Sequence, residues 1–467
     1  MRSRVKLAPP DYADFVAAKL QPFYGIGMQG PFDLPASLFD HQKALTTWSL
    51  KRGKSALFAD TGLGKSRMEM AWCDQVTKHT QEPVILYTPL AVAIQMQNEG
   101  HKIGIHSTIA REQSDIRPGI NITNYERMHK FESSQFGGVC LDESGCIKHH
   151  TSQTFQMLTS MYQRTEFKLA ATATPAPNDW VEFGTHAEFL GICTRAEMLA
   201  EFFTHDGGDT SVWRLKKHAQ SVFWKWVVSW GVLIKSPTDL GFDGSAYILP
   251  KMHVHEHVVD FEIDPDEGTF FPRLASSLQE QHVIRRQSTS ARVRACADVI
   301  NNSGIDTWLV WCDLNDESEQ LKKSIHMSVE VRGSTPLPLK ESTLMGFADG
   351  TIKRMISKTS IAGYGLNYQR CSHMAFVGAT NSYESYYQAV RRCYRFGQTQ
   401  EVHIHLFSSR AEQSVLANLK RKEDAAERMS AELIAVTRGE VMDSVFGATR
   451  MTNDHSPSVP MELPTFI

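Results

Sequence analysis

A short apolar run that leads directly into a glycine-rich turn constrains this chain more than any other stretch. Residues 55–66 read SALFADTGLGKS, in which Ala56 to Ala59 form the apolar run and Gly62-Leu63-Gly64-Lys65-Ser66 follow it. The pattern predicts a buried strand, a tight turn and the start of a helix. Glycines in such a turn let backbone N–H groups close around an oxyanion, and the helix adds its positive end. The stretch therefore predicts a phosphate-binding loop.

Two side chains at the end of this loop carry its chemistry. We expect Lys65 to reach the terminal phosphates of a nucleotide and Ser66 to offer its hydroxyl to a bound magnesium ion. The remaining predicted contacts to the nucleotide come from the loop residues Thr61, Gly62, Leu63 and Gly64. Upstream of the loop, the amide of Gln42 has the donor and the acceptor needed to read the edge of an adenine base.

Length and composition limit the class of protein. A chain of 467 residues is too long for one hydrophobic core and suits two or three domains. With 42% hydrophobic and 22% charged residues it resembles an ordinary soluble protein. The net charge of −3 gives no overall attraction to nucleic acid, so any such contact must use a local basic surface.

Cysteine usage and the lack of targeting signals indicate a soluble cytoplasmic protein. The eight cysteines include no C-x-x-C pair, which argues against zinc and for reduced thiols. The N-terminus has no apolar signal core, and the longest uncharged apolar stretch, Trp226 to Ile234, is too short to span a bilayer. We expect no membrane association and a monomer.

Apolar runs and helical segments alternate through residues 36–189, after a lead-in over residues 1–35 that is rich in Gly and Pro. Runs at 84–87, 138–141 and 167–171 predict strands of a parallel sheet covered by helices on both faces. Asp142 and Glu143 follow one of these strands directly. Ligands bind at this edge of such sheets, so we expect Asp142 to hold magnesium and Glu143 to polarise the attacking water.

Residues 190–255 break this rhythm and predict a helical insertion. Trp213, Trp224, Trp226 and Trp230 fall close together among lysines and arginines. Aromatic side chains beside cations can stack on bases, but tryptophans on helical segments more often form a packing cluster. Core packing is the favoured interpretation, with the basic side chains left as candidate contacts to a nucleic-acid backbone.

The alternation resumes over residues 256–415, which predicts a second parallel-sheet lobe without a phosphate loop of its own. Its most informative stretch is QAVRRCYRFGQ, residues 388–398. On one helix, Gln388, Arg392 and Arg395 would face the same way. Two guanidinium groups on one face can stabilise the charge that develops during phosphoryl transfer on another domain. Residues 416–452 then predict a charged brace helix, and residues 453–467 a flexible tail.

Taken in order, these motifs resemble those of the Swi/Snf-type ATPases within superfamily two of the helicase-like proteins. The resemblance covers residues 36–420. In the first half it rests on LFDHQ, DTGLGKS, YTPL, TNYE, DESGCIKH and TATPAPND, and in the second on RGSTPLPLK, IAGYGLN and QAVRRCYRFGQ. Four positions depart from the family pattern. Ser144 and Gly145 replace Ala-His, Lys340 stands where Arg is usual, and Arg391 stands where Asp is frequent.

The resemblance implies an α/β fold with two tandem RecA-like parallel-sheet lobes, with ATP and Mg²⁺ in the cleft between them. It implies that Lys65, Asp142 and Glu143 act from the first lobe and Arg392 and Arg395 from the second. Gly365, in IAGYGLN, is expected beside the nucleotide. The compact chain is similar to the small members of the family encoded by phages and prophages, for which the compartment would be the host cytoplasm.

The implied function is an ATP-dependent motor that translocates along DNA, with duplex DNA as the favoured track. Two alternatives remain open. One is a helicase that separates strands of DNA or RNA, although the sequence shows no obvious wedge hairpin. The other is a DNA-binding clamp that binds ATP as a switch without hydrolysing it.

Overall fold

The computed structural model describes residues 27–412, except 90–91, 177–178, 207–208, 262–284, 364–366 and 379–382, together with scattered residues between 417 and 445. The predicted tail, most of the predicted lead-in and Gly365 lie outside these described residues. The predicted α/β fold with two parallel-sheet lobes is confirmed.

The first lobe is built on a seven-stranded sheet in which every paired strand is parallel, in the order β3-β4-β2-β5-β6-β1-β9. Its central strands β1, β2, β5 and β6 are almost wholly buried because helices cover both faces, which explains why they are mostly apolar. The strands are β1 (Lys54–Ala59), β2 (Val84–Thr88), β3 (Ser107–Ile109), β4 (Ile120–Asn124), β5 (Gly138–Asp142), β6 (Phe167–Ala171) and β9 (Gly231–Ile234).

Helices on the two faces of this sheet enclose two hydrophobic cores. One core contains Trp48 and Trp72, and the other contains Trp224 and Trp230. The helices are α1 (Asp40–Arg52), α2 (Lys65–Thr80), α3 (Ala93–Lys102), α4 (Gln153–Met161), α5 (Phe183–Leu190), α6 (Arg195–Phe202) and α7 (Gln220–Trp230).

The segment 190–255 differs from the helical insertion that the sequence predicts. It contains α6 and α7, but an antiparallel hairpin of β7 (Phe203–Asp206) and β8 (Asp209–Leu215) joins them. Strand β9 then pairs with β1 at the edge of the first sheet, because the apolar run after Gly231 supplies one more buried strand. Trp224 and Trp230 are buried against Phe223 and Phe58, so the packing interpretation is confirmed for both.

The second lobe is built on a six-stranded sheet of parallel pairs in the order β10-β15-β14-β11-β13-β12. Strand β10 lies at one edge, so the end of the predicted insertion, up to residue 255, already belongs to this sheet. The strands are β10 (Met252–Val259), β11 (Trp308–Cys312), β12 (Ser328–Val331), β13 (Arg354–Lys358), β14 (His373–Val377) and β15 (Val402–Ser409).

Two further hydrophobic cores lie on the faces of the second sheet. The helices of this lobe are α8 (Thr289–Asn302), α9 (Asn315–Ser324), α10 (Leu337–Asp349), α11 (Thr359–Ala362) and α12 (Tyr383–Val390). No helix among the described residues combines the length and apolarity needed to cross a membrane.

The helical residues after the second lobe return to the first lobe. Val441 is buried in the same core as Trp48 and Trp72. Arg438 Nη2 donates to the backbone oxygen of Thr238 at 3.3 Å. A segment that leaves one lobe and packs into the core of the other is suited to the brace role that the sequence predicts.

Candidate nucleotide site between the two lobes

The glycine-rich turn after β1 adopts a geometry that needs glycine at two positions. Gly62 and Gly64 have φ angles of 92° and 86°, in the left-handed region. A Cβ atom at Gly64 would lie 2.2 Å from Gln42 Nε2, so no other side chain fits there without movement. Helix α2 begins at Lys65, whose Nζ donates to the backbone oxygen of Ala59 at 2.8 Å. The loop and its lysine are therefore pre-shaped around the end of β1.

Gln42 is held against this loop. Its Oε1 accepts from the backbone N–H of Phe39 at 3.1 Å, and its Nε2 donates to the backbone oxygen of Leu63 at 3.0 Å. The amide predicted to read adenine thus braces the loop in this structure. The side chain of Leu63 is buried in the core of the first lobe. Leu63 therefore contacts Gln42 through its backbone oxygen.

Aromatic side chains from both lobes gather beside Gln42. The ring of Phe396, from the second lobe, lies 4.6 Å from that of Tyr247 and 6.2 Å from that of Phe39, measured between centroids. His41 packs edge-on against Tyr247 at 5.4 Å. The sequence predicts neither Tyr247 nor Phe396 as a site residue. Tyr247 lies outside every motif, and Phe396, although next to Arg395 in QAVRRCYRFGQ, has no charged or hydrogen-bonding side chain.

Asp142 and Glu143 lie where β5 ends. Asp142 is the last residue of the strand and is 5% exposed, whereas Glu143 adopts a left-handed conformation with φ of 51°. Such a conformation is uncommon for a non-glycine residue. Tyr125 Oη donates to the backbone oxygen of Asp142 at 2.7 Å. Burial and the neighbouring carboxylate of Glu143 raise the pKa of Asp142 to about 7.

Two arginines of the second lobe approach this acidic pair. Arg392 Nη2 lies 3.8 Å from Glu143 Oε1 and donates to Gln388 Oε1 at 2.9 Å. Arg395 hydrogen-bonds through Nη1 to the side chain of Asn367. Burial and the nearby charge of Arg392 lower the pKa of Arg395 to about 9. Two neighbouring guanidinium groups repel each other, and an anion bound between them would relieve that repulsion.

The helix predicted to carry Gln388, Arg392 and Arg395 on one face is shorter than expected. Helix α12 ends at Val390, and both arginines lie in the turns that follow. In these turns Arg392 N bonds to the oxygen of Ala389 and Cys393 N to that of Val390, three residues back in each case. The turns nevertheless direct both guanidinium groups toward the first lobe.

One cavity of about 90 Å³ joins most of the predicted residues. It is lined by the predicted residues Thr61, Gly62, Gly64, Lys65, Ser66, Asp142, Glu143, Arg392 and Arg395. The sequence did not point to Arg67, Gln95, Glu99 or Asn367, which line it too. Arg67 Nε pairs with Glu99 Oε2 at 3.1 Å. Glu99 lies on α3, outside any recognisable phosphate motif, so only its fold position reveals it.

Gln388 faces a different cavity, of about 970 Å³, on the other side of Glu143. Residues of both lobes line it, and many belong to the motifs that the sequence analysis identified. They include Tyr125, Glu143, Lys148, Thr172, Thr174, Gly333, Lys340, Ile361 and Gln388. Glu143 therefore lies between a small polar cavity and a wide interlobe groove, whereas Asp142 lines only the small cavity.

Two family models match the chain. The SNF2-related domain matches residues 41–229, and the helicase conserved C-terminal domain matches residues 291–397. The first match contains the phosphate loop and the acidic pair, and the second contains both arginines. No curated protein is significantly similar to the chain.

Among solved structures, the chain is similar to the SWI2/SNF2 ATPase core of Sulfolobus solfataricus in complex with double-stranded DNA. The identity is 16% and the TM-score 0.40, and the match covers 89% of this chain and 98% of that one. These values are too low to assign a substrate. The two domain matches, which together span more than half of the chain, show that it belongs to the Swi/Snf-type, helicase-like ATPases of superfamily two.

Proposed function

We propose that this protein is an ATP-driven motor that translocates along duplex DNA. The observation that carries the proposal is the 3.8 Å approach of Arg392 Nη2 to Glu143 Oε1, beside a cavity that also holds Lys65. Each lobe contributes part of this charge constellation. Hydrolysis that depends on both lobes can be coupled to their relative movement.

The residues of the small cavity fit a nucleotide with its magnesium ion. Three cationic side chains, Lys65, Arg392 and Arg395, would balance the phosphate charge, with the backbone of residues 61–64 closing around it. Ser66 and Asp142 supply the hydroxyl and carboxylate oxygens that magnesium prefers. Among the described residues no group of three or more His, Cys, Asp or Glu side chains is arranged to hold a metal ion. The site therefore suits an ion that shares its coordination with phosphates and water.

Within this assignment each side chain has a distinct role. Glu143 accepts a proton from the attacking water or orients it. Arg392 and Arg395 stabilise the negative charge that builds up on the transferred group. Gln388 positions Arg392 through the 2.9 Å hydrogen bond. When bound, magnesium supplies Lewis-acid stabilisation of the phosphate oxygens.

The 970 Å³ groove is the proposed place for the DNA, because its walls come from both lobes and carry Lys148, Lys340 and several hydroxyl groups. Such side chains contact phosphates without reading sequence. Duplex is favoured because motors of this family generally follow a duplex without separating its strands. We further propose that the protein acts as a monomer in the cytoplasm.

Strand separation is the second candidate, and the β7–β8 hairpin is the observation that favours it. The sequence analysis found no obvious wedge, but a two-stranded hairpin of this kind is an element that a strand-separating enzyme can use. His205 and Trp213 pack together across it, with ring centroids 3.8 Å apart.

One set of assays separates these functions. Phosphate release is measured with duplex, single-stranded and forked DNA and with RNA, alongside triplex displacement and strand displacement. The proposal predicts stimulation by duplex DNA and displacement of a third strand without unwinding. Strand displacement would favour the helicase, and the absence of phosphate release with every nucleic acid would favour the ATP-switched clamp.

A further inference from the structure

A carboxylate at the entrance of the phosphate loop bonds directly to the second lobe. Asp60 follows β1 and precedes the loop glycines, and it is only 9% exposed. Its Oδ1 accepts from Tyr387 Oη at 2.6 Å, and its Oδ2 lies 3.4 Å from Arg391 Nη2. Both oxygens of this carboxylate are therefore engaged by the other lobe.

The same carboxylate also shapes the phosphate loop. Oδ1 of Asp60 accepts from the backbone N–H of Thr61 at 2.6 Å, and the backbone oxygen of Asp60 accepts from Leu63 N at 3.4 Å. The Asp60 side chain thus contacts both the backbone of the phosphate loop and the second lobe.

Arg391 is held in place independently of Asp60. Its guanidinium carbon lies 5.0 Å from the ring centroid of Tyr387 and 5.6 Å from that of Tyr394. Tyr387 and Arg391 are four residues apart, with Arg391 N bonded to the oxygen of Tyr387 at 3.0 Å, so they present one surface. Because the side chain is packed between two rings, little conformational entropy is lost when it pairs with Asp60.

A second contact reinforces this one. A Cβ atom built at Gly62 would lie 3.0 Å from the backbone nitrogen of Phe396 and 3.2 Å from its Cβ, so the second lobe packs directly on the loop. Arg392 and Arg395 lie between Arg391 and Phe396 in the chain. Contacts at both ends of this short stretch therefore fix where the two guanidinium groups face the first lobe.

We propose that Asp60, Tyr387 and Arg391 form an interlobe latch that positions Arg392 and Arg395 at the phosphate loop. This inference rests on the proposed ATPase function and deepens it, because the latch residues are positioning residues that act through the two arginines. Opening of the cleft breaks a largely buried charge pair, so the latch opposes lobe separation between turnovers.

A charge-reversal experiment tests the latch. Arg391→Asp places a carboxylate opposite Asp60, and we expect duplex-stimulated kcat to fall about 30-fold or more while the Kd for ATP changes little. Adding Asp60→Asn to this variant removes one of the facing charges and supplies an amide donor, so kcat should recover about fivefold or more. If kcat of the double variant falls by the product of the losses measured in Arg391→Asp alone and Asp60→Asn alone, the proposal is overturned.

Two further variants guard against a folding defect. Tyr387→Phe keeps the ring under Arg391 and removes only its hydroxyl, and we expect kcat to fall about fivefold at unchanged thermal stability. Arg410→Gln is the matched control, since Arg410 forms an Arg–Asp pair with Asp260 at 2.7 Å in the same lobe and both side chains are exposed. It should behave as the wild type, and unchanged kcat in Tyr387→Phe would contradict the latch.

Small-angle X-ray scattering provides a readout that does not depend on hydrolysis. Without nucleotide, the Arg391→Asp variant should have a larger radius of gyration than the wild type, and the double variant should return toward the wild-type value. Equal radii for all proteins would overturn the latch. A wild type that releases no phosphate would instead contradict the proposed function and leave this scattering comparison valid.

Discussion

Arg392 Nη2 and Glu143 Oε1 lie 3.8 Å apart, although Arg392 belongs to the second lobe and Glu143 to the first. Both side chains are largely buried, with exposed fractions of 3% and 13%. A charge pair in such surroundings is screened much less than one at the surface. The contact joins the residue proposed to act on water to a residue proposed to stabilise the transition state, so both roles depend on the lobes meeting.

Removal of the loop lysine tests nucleotide binding. Lys65→Ala deletes a charged donor from the small cavity, and a hydrogen bond to a charged group contributes about 1.5–3 kcal/mol. We expect ATP affinity to fall about 10- to 100-fold and hydrolysis to be lost. Binding is measured by calorimetry, with exposed Lys78→Ala, on α2, as the control. Wild-type affinity in Lys65→Ala would contradict the assignment.

Replacement of the proposed base separates binding from hydrolysis. Glu143→Gln retains the shape of the side chain but removes its basicity, so hydrolysis should fall about 10²-fold or more while ATP still binds. Single-turnover phosphate release and ATP titration provide the two values. Normal turnover in this variant would refute the role given to Glu143.

The departure from the family motif at Ser144 has a structural counterpart. Ser144 Oγ lies 3.1 Å from Nε2 of buried His186, and burial lowers the pKa of His186 to about 4. Ser144→Ala leaves a buried ring nitrogen without this partner, and the free energy of unfolding should fall by about 1–3 kcal/mol. Denaturant titration measures the change, with exposed Ser134→Ala as the control. A loss equal to that of the control would show that the bond contributes nothing.

Stacked histidines at the edge of the second sheet predict acid sensitivity. They are His253, His255 and His257 on β10, His403 and His405 on β15, and His373 on β14. Burial and the neighbouring imidazoles lower the pKa of His405 to about 3 and that of His373 to about 4. The unfolded chain therefore binds protons first, so stability is full above pH 6.5 and decreases as the pH falls toward 4.

Thermal unfolding between pH 7.5 and 4.5 measures this effect. His405→Gln removes one of the strongly shifted groups and should flatten the dependence of the melting temperature on pH. The same slope in the variant and the wild type would contradict the contribution of His405.

Local sequence patterns predict much of the fold and of the site, for identifiable reasons. The strands ending at Ala59, Asp142 and Ala171 are mostly apolar because helices cover both faces of the sheet. By contrast, β9 is a four-residue run and β7–β8 a short hairpin within a tryptophan-rich stretch, so helical composition concealed both. Long-range pairing decides such elements, and a single sequence does not contain that information.

The residues of the site also divide into those that local sequence predicts and those that only the fold brings together. Phosphate-loop residues and the acidic pair are adjacent in sequence and have recognisable spacing. Glu99, Tyr247 and Phe396 reach the nucleotide region only through tertiary packing. The latch could not be foreseen either, because Asp60 and Arg391 meet only when the two lobes come together.

The most direct test of the central claim is ATP binding and ATP hydrolysis measured side by side in Arg395→Ala. If the second lobe completes the site, this variant binds ATP with nearly wild-type affinity while duplex-stimulated turnover falls about 10³-fold. Arg354→Ala, which removes an arginine elsewhere in the same lobe, should retain turnover. Wild-type turnover in Arg395→Ala would contradict the account that both lobes build one hydrolytic site.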